Sequence, residues 1–272
     1  MSKNRTHEKT IDITCPACHG AGQFPTWDCI DGTSDDALRR RVLTDDQLFF
    51  YTCPHCQAHI HIESPCLYIN RYEKWMVWHL PDLRDQITSA EVTAFLGQPS
   101  FAKYTCRVSR TWGEWREKII ELESDYDDRL YEIIKYGAYS LVKKEDQELL
   151  PLEAYHIDYT DNKVDEKNTL SLVFLRKDEK GKGYGYVITP KVKAVTKDIF
   201  SPILERLPDV NDTGRFERFD YTWARALVQH VFEAASSPEG RDAYGPLMTL
   251  WLQTLSQELF HQTLRPQQNG RK

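Results

Sequence analysis

The chain has 272 residues, of which 40% are hydrophobic and 12% aromatic, and it carries a formal net charge of -6 at pH 7. This apolar content supports a folded protein of one large or two modest domains and excludes a chain that is disordered throughout. The acidic balance disfavours proteins that coat nucleic acid or anionic lipid by bulk charge attraction, because such binding depends on surplus Lys and Arg.

Short segments with strand-like patterns surround the cysteine pairs in the amino-terminal part of the chain. Between them, a stretch begins with Ser34 as a capping residue, continues with an acidic first turn and ends in arginines, which predicts a helix over 34–43. Alternation and aromatic content predict strands at 10–14, 47–52, 58–63 and 72–80. The second and third of these strands flank one cysteine pair, so we expect them to form a hairpin.

The pattern changes at Trp112, where apolar residues begin to recur every three or four positions. This spacing predicts two amphipathic helices, and the capping side chains at Ser124–Asp128 place a corner between them. Three strands are then predicted at 155–159, 170–177 and 184–189, the last two joined by a turn at Lys180–Gly183. Helices are predicted near 197–207, 221–235 and 244–264.

Two Cys-Pro-X-Cys motifs carry the strongest chemical signal in the chain. They are Cys15-Pro16-Ala17-Cys18 and Cys53-Pro54-His55-Cys56, separated by the 34 residues from 19 to 52. Two residues between cysteines let a tight turn direct both sulfurs to one point, and two such turns supply the four tetrahedral ligands that Zn²⁺ takes. Cys15, Cys18, Cys53 and Cys56 are therefore the predicted zinc ligands. Because four thiolates leave no position for water, the zinc is expected to be structural.

A strand, a knuckle and a second strand around each pair is the arrangement of a zinc ribbon. The segment between the pairs exceeds the roughly 15 to 20 residues of compact ribbons, so the predicted helix at 34–43 is an insertion. The expected fold class is α+β, with a zinc-ribbon-like β module and its helical insertion, then a helical hairpin and a carboxy-terminal α+β region. The predicted domains are residues 1–110 for the ribbon module and 111–272 for the remainder.

Two alternatives to a four-cysteine zinc site remain open. Cys-Pro-X-Cys also occurs in thiol-disulfide oxidoreductases, where the pair lies between a strand and a helix. The residues after Cys56 alternate instead of showing helical spacing, which favours zinc. Any of four nearby histidines could replace a sulfur; they are His19, His55, His59 and His61. For His59 and His61, which lie on one strand face, exposure to solvent is the plainer expectation.

The remaining cysteines and the amino terminus indicate the cellular compartment in which the protein is expected. Cys29, Cys66 and Cys106 are isolated and are expected to be small buried apolar side chains without a role. Seven cysteines in this arrangement favour metal ligation over a disulfide framework. The first ten residues are polar, and no window approaches 18 uninterrupted apolar residues, so we expect a cytoplasmic protein without a membrane partner.

The amino-terminal half of the chain resembles the CpXC family, a bacterial domain named for the doubled motif. The segments that carry the resemblance are Cys15–Cys18, Trp27, Ala37–Leu43, Cys53–Cys56, Pro65–Tyr68, Glu117–Ile119 and Asp127–Lys135. The resemblance fades after about residue 145, and it implies a zinc-binding domain joined to a helical segment, with no established activity. Gln57 departs from the glycine expected after the second knuckle, where a left-handed backbone would cost about 1 kcal/mol.

The sequence has no Gly-X-Ser-X-Gly motif, no nucleotide-binding loop and no His-Glu-X-X-His motif, and we expect no catalytic and no cofactor-binding residues. The clustered carboxylates Asp127, Asp128 and Glu132 could hold a metal or act as acid and base, but helix capping with an Asp–Arg pair is favoured. Four tryptophans could stack on bases, yet their spacing of three among apolar neighbours favours burial; they are Trp75, Trp78, Trp112 and Trp115.

The leading hypothesis is thus a cytoplasmic zinc-ribbon protein whose partner is another protein. The alternative is nucleic-acid binding, with the arginines of the inserted helix, Arg39, Arg40 and Arg41, as phosphate contacts. Thiol-disulfide exchange is a third possibility.

Overall fold

A computed structural model describes residues 5–45, 47–82, 87–160, 163–164, 166, 169–175, 177, 183–207 and 215–261. Contacts between residues divide the chain into two compact units. Unit 1 comprises Met1–Leu122 with Asp209–Arg218, and unit 2 comprises Glu123–Pro208 with Phe219–Lys272. Helices and mixed sheets occur together, which confirms the predicted α+β class. The predicted division into domains 1–110 and 111–272 stays a prediction.

Unit 1 is built on a six-stranded mixed sheet with the strand order β1-β2-β5-β6-β7-β11. Its strands are β1 (His7–Thr14), β2 (Ala21–Asp31), β5 (Cys66–Asn70), β6 (Trp75–His79), β7 (Thr105–Ser109) and β11 (Phe216–Glu217). A separate hairpin consists of β3 (Phe50–Thr52) and β4 (His59–His61), which pair antiparallel. This pair confirms the hairpin predicted around the second cysteine motif.

The long strand β2 was not predicted, because Gly22 and Pro25 interrupt its sequence pattern. It pairs antiparallel with β1 from Ala21 to Cys29 and parallel with β5 from Cys29 to Asp31. Pro25 therefore lies where β2 has no second neighbour, the place in a sheet where a missing N–H is tolerated. Because parallel neighbours require a crossover, the segment from β2 to β5 accommodates both the inserted helix and the β3–β4 hairpin.

Three helices belong mainly to unit 1: α1 (Asp36–Thr44), α2 (Ser89–Leu96) and α3 (Trp112–Glu123). The predicted cap of α1 at Ser34 is wrong by one residue, because the side chain of Asp35 accepts the hydrogen bond from the Leu38 N–H and makes Asp35 the cap. Helix α2 was not predicted, although Thr88 and Glu91 form a capping box at its start.

In its described residues, unit 2 contains a three-stranded antiparallel sheet, ordered β10-β9-β8, and four α-helices. These are β8 (Tyr155–Tyr159), β9 (Leu170–Leu175), β10 (Gly183–Val187), α4 (Asp128–Ser140), α5 (Pro190–Leu204), α6 (Tyr221–Ser236) and α7 (Arg241–Phe260). All three strands were predicted. Of the predicted turn at Lys180–Gly183, only Gly183 lies within the described residues, and residues 262–264 of the last predicted helix also lie outside them.

Local capping explains how the helices of unit 2 begin. Asp127 caps α4 and also binds the guanidinium of Arg129, which confirms the capping interpretation of this acidic segment. Helix α5 begins seven residues earlier than predicted, because Thr189 accepts a hydrogen bond from the Val192 N–H and Pro190 occupies the first turn.

The four tryptophans considered for base stacking are all buried, so the prediction of a core role is confirmed for Trp75, Trp78, Trp112 and Trp115. The three isolated cysteines are buried as well. Within the described part of the chain, no helix combines the length and apolar character needed to cross a bilayer.

Candidate metal centre

Each Cys-Pro-X-Cys motif forms the tip of an antiparallel hairpin. The first knuckle, residues 15–20, connects β1 with β2, and the second knuckle, residues 53–58, connects β3 with β4. The two turns repeat the same backbone hydrogen bonds. In the first knuckle, Cys15 N–H donates to the Gly20 carbonyl at 2.9 Å and His19 N–H donates to the Cys15 carbonyl at 2.8 Å.

The second knuckle reproduces this pattern at equivalent positions. Cys53 N–H donates to the Ala58 carbonyl at 2.9 Å, and Gln57 N–H donates to the Cys53 carbonyl, also at 2.9 Å. The residue after the second cysteine is left-handed in both knuckles, with φ of 59° at His19 and 60° at Gln57. The left-handed backbone expected at Gln57 is therefore present, and His19 shares it.

The four sulfurs of the two motifs converge. The Sγ atoms of Cys15 and Cys56 lie 3.6 Å apart, and those of Cys18 and Cys53 also lie 3.6 Å apart. All four sulfurs lie within 4.8 Å of one another. A tetrahedron of sulfurs bound to one metal at about 2.3 Å has edges of about 3.8 Å, so the observed spacing matches such a shell. No disulfide joins the cysteines, and together they could hold a metal ion.

The knuckle backbone stabilises the thiolate form of the inner cysteines. The backbone N–H of Cys18 is the main cause that lowers the pKa of Cys15 to about 7, against the opposing effect of desolvation. The backbone N–H of Cys56 likewise lowers the pKa of Cys53. Backbone amides that point at the sulfurs thus favour negative charge at the centre.

The pKa values of the outer cysteines, Cys18 and Cys56, are raised instead of lowered, because neighbouring thiols crowd them. At Cys18 the backbone N–H of Gly20 lowers the pKa, but the Cys56 thiol, desolvation and the inner thiols together raise it to about 12. At Cys56 the backbone N–H of Ala58 and the Cys18 thiol lower the pKa, whereas desolvation and the inner thiols raise it, with a net increase. Four thiolates at this spacing therefore require a cation to be charged together.

A small apolar cluster supports the centre from within unit 1. It combines the inner cysteines with Phe24, Tyr51 and Ile62, and the half-buried side chains packed against it include Ile11, Ile13 and Ile60. The ring of Tyr51 lies against the backbone of Gly22, where an added Cβ would come within 1.8 Å of the tyrosine oxygen. Gly22 is thus required for the approach of the two hairpins, a role that the sequence did not reveal.

The histidines near the motifs do not join the sulfurs. In the described residues, the group that could hold a metal at the knuckles contains the four cysteines alone. His59 is exposed and its Nδ1 lies 3.3 Å from the Thr52 hydroxyl, while His61 Nδ1 lies 2.8 Å from a Glu63 oxygen. These contacts agree with the plainer expectation of solvent-exposed side chains.

The arginines considered for phosphate contacts are paired within their own helix. Arg40 Nε lies 3.1 Å from an Asp36 oxygen, and Arg39 lies 3.4 Å from the same carboxylate. Arg41 lies 3.4 Å from Asp45. Their charge is therefore partly neutralised by neighbouring carboxylates.

His79 is a buried histidine that the sequence pattern did not single out. The side chain of His79 is fully buried in β6, its Nε2 lies 3.2 Å from a Glu63 oxygen, and its ring lies 4.0 Å from the ring of Trp112. Burial lowers the pKa of His79 to about 4, although Glu63 opposes the shift. All five residues of β6 are buried, so no alternation in its sequence marked His79 as a core residue.

Comparison with protein families supports the interpretation of the knuckles. Residues 13–135 match the family model described as CpXC protein. Comparison with curated proteins and with solved structures found no match. The matched segment contains both cysteine motifs and ends within α4. The resemblance predicted from the sequence is thereby confirmed, since residues 13–135 are similar to the CpXC family.

Proposed function

We propose that Cys15, Cys18, Cys53 and Cys56 bind one structural zinc ion, and that the protein serves as an interaction module for another protein. The observation that carries the proposal is the convergence of four sulfurs from two hairpin tips. When bound, zinc would supply four bonds that fix the hairpins to each other. Four thiolate ligands complete its tetrahedral shell, so the site offers no open position for a substrate.

Zinc suits this donor set better than magnesium or calcium. Soft thiolates favour zinc, copper(I) or iron–sulfur clusters, whereas magnesium and calcium favour oxygen ligands. The cysteines are reduced and form two matched turns, as in a zinc ribbon. Reduced thiols and the absence of a transmembrane helix among the described residues are compatible with a cytoplasmic protein, which we propose as its location.

Elemental analysis of metal per chain tests the zinc site. We expect one zinc ion per chain in the purified protein and loss of zinc in Cys18→Ser and Cys53→Ser, because three remaining thiolates bind less tightly. Cys106→Ala is the matched control, since Cys106 is buried far along the chain from both motifs and should leave zinc binding unchanged. Iron or no metal in the wild-type protein would contradict the proposal.

The exposed knuckle tips favour a protein partner over nucleic acid. Residues 16–19 and 54–57 are exposed and contain no Lys or Arg. Phosphate recognition depends on such cations, while a rigid, uncharged surface suits contact with a protein. The ion pairs along α1 further reduce the charge that its arginines could offer to phosphates.

Capture experiments with the full-length wild-type protein and its Ala17→Arg variant distinguish a protein partner from a nucleic-acid partner. Ala17→Arg places a bulky charge on the exposed first knuckle and should abolish capture of a protein partner while zinc content stays unchanged. The nucleic-acid alternative predicts the opposite, namely stronger and salt-dependent retardation of nucleic acid by Ala17→Arg in a gel-shift assay. Binding of nucleic acid by the wild-type protein would overturn our preference.

Thiol-disulfide exchange is tested by alkylation at neutral pH. Thiolates held by zinc should resist the reagent, whereas chelation should expose them. Rapid labelling of Cys15 or Cys53 in the metal-loaded protein would favour the redox alternative.

A further inference from the structure

Unit 2 contains a cavity that the metal centre does not explain. It has a volume of about 340 Å³, which lies within the range of small-molecule sites. The end of α4 and the segment that follows it form one wall, and β9, β10 and α7 form the other. Its lining residues are Leu141, Val142, Lys143, Asp146, Leu149, Leu150, Phe174, Tyr184, Tyr186, Ser256 and Phe260.

Aromatic rings dominate the wall made by the sheet and α7. Tyr184 and Tyr186 of β10 lie on the same sheet face as Phe174 of β9, with ring centroids 5.7 Å and 5.6 Å from that of Phe174. The ring of Phe260 meets Tyr186 edge-on at 5.1 Å. The faces of aromatic rings carry partial negative charge and attract cations. This wall therefore favours an apolar ligand with a positively charged group.

The charged side chains at the cavity point to the same ligand class. Lys143 lies 3.7 Å from the Glu145 carboxylate, which balances its charge. Among the described residues, none pairs with the carboxylate of Asp146, which lines the cavity. The cavity thus offers an available anion, leucine side chains for an apolar body, and ring faces for a cation.

We propose that this cavity binds a small organic cation, a primary or methylated amine attached to an apolar body. Asp146 binds the ammonium group, Tyr184 and Tyr186 contact it through their ring faces, and the leucines of the 141–150 segment enclose the apolar part. The site is separate from the zinc centre in sequence and in chemistry, so its test does not depend on the proposed zinc function.

Three probes of similar shape and different charge test the proposal on the full-length, metal-loaded protein. They are phenethylamine, neutral 2-phenylethanol and anionic 3-phenylpropanoate. Gly183 and Gly185 flank Tyr184 in β10, and their amide signals lie in the uncrowded glycine region of an ¹H–¹⁵N spectrum. We expect phenethylamine to shift these signals at the lowest concentration and the carboxylate at the highest.

Two variants separate the contributions of charge and ring face. Asp146→Asn should weaken phenethylamine binding about fivefold and leave 2-phenylethanol unchanged, because only the ion pair is lost. Tyr184→Leu should weaken the amine about threefold with little effect on the alcohol, because it keeps apolar bulk without a ring face. Val187→Ala, on the exposed opposite face of the same strand, is the matched control.

The proposal has clear contrary outcomes. Equal or tighter binding of 3-phenylpropanoate, an unchanged amine affinity in Asp146→Asn, or no shift with any probe at millimolar concentration would overturn it. Zinc content should be the same in all three variants, so failure here is distinguishable from failure of the zinc proposal.

Discussion

At the scale of single residues, each knuckle contains one residue other than glycine whose backbone is left-handed. His19 and Gln57 occupy this position without the freedom of glycine, and the carbonyl-to-amide bonds of the knuckles hold them there. Such a conformation costs a residue with a Cβ about 1 kcal/mol. The free energy gained when the four sulfurs converge therefore exceeds the cost of the left-handed backbone, a cost that glycine would avoid.

Replacing Gln57 by glycine should stabilise the metal-loaded protein by up to about 1 kcal/mol, because glycine adopts positive φ without a steric penalty. Gln57→Ala is the control, since alanine keeps the Cβ and should give no gain. Urea denaturation of both variants measures the free energy of unfolding. A glycine variant no more stable than the alanine variant would show that the strain at this position is negligible.

His79 predicts an acid-dependent loss of stability. Its pKa of about 4 in the folded protein lies below the ordinary value of 6.5, so the unfolded chain takes up a proton first as the pH falls. Above pH 6.5, His79 does not change the free energy of unfolding. Below pH 6.5 it lowers this free energy progressively, by roughly 3 kcal/mol near pH 4.

His79→Gln should remove this part of the pH profile, because glutamine can still donate to Glu63 but does not titrate in this range. Unfolding free energies measured from pH 7 to pH 4 provide the comparison. Acid also releases thiolate-bound metal from both proteins, so the difference between the two profiles is the quantity that reports His79. Parallel profiles would contradict the assignment.

At the scale of elements, helix α2 depends on its two ends. Thr88 Oγ1 accepts from the Glu91 N–H at 3.2 Å, and Glu91 accepts from the Thr88 N–H at 3.1 Å. At the other end, the Arg71 guanidinium donates to the carbonyls of Phe95 and Leu96. A local capping box and the distant Arg71 together fix a helix of eight residues that places Val92 and Leu96 in the core.

Thr88→Ala should destabilise unit 1 by about 1 kcal/mol, since it removes the oxygen that accepts from the first turn. Thr88→Ser keeps this oxygen and should remain within a few tenths of a kcal/mol of the wild type. Chemical denaturation followed by tryptophan fluorescence measures both. Equal losses in the two variants would attribute the effect to the methyl group instead of the cap.

At the scale of the whole molecule, all seven cysteines lie in residues 15–106, within unit 1, and residues 123–272 contain none. Removal of metal by a chelator should therefore act on unit 1. We expect the amides of β3 and β4 to lose protection from hydrogen exchange, because this hairpin has three residues in each strand and is too short to be stable alone.

The strands β8 and β9 of unit 2 provide the internal reference for that measurement, and their amides should keep their protection. Readdition of zinc should restore the β3–β4 hairpin. Loss of protection that is equal in both units would contradict a local structural role of the metal.

The sequence by itself determined the features that depend on neighbouring residues. The Cys-Pro-X-Cys spacing predicted both knuckles, the capping side chains after α3 predicted the corner before α4, and the alternation around Cys53–Cys56 predicted the β3–β4 hairpin. The clustering of Cys15, Cys18, Cys53 and Cys56 followed from the same spacing. Turn geometry, caps and side-chain period act over a few residues, so they are visible in a single sequence.

Only the tertiary structure decided the rest, because it depends on residues far apart in the chain. Strands β5 and β7 become strands through their neighbours in the sheet, and Gly22 has its role only because Tyr51 packs on it. His79 acquires its lowered pKa from burial that no local pattern encodes. The cavity beside Asp146 forms where the segments 141–150, 174–186 and 256–260 pack together, and its chemistry arises from that packing.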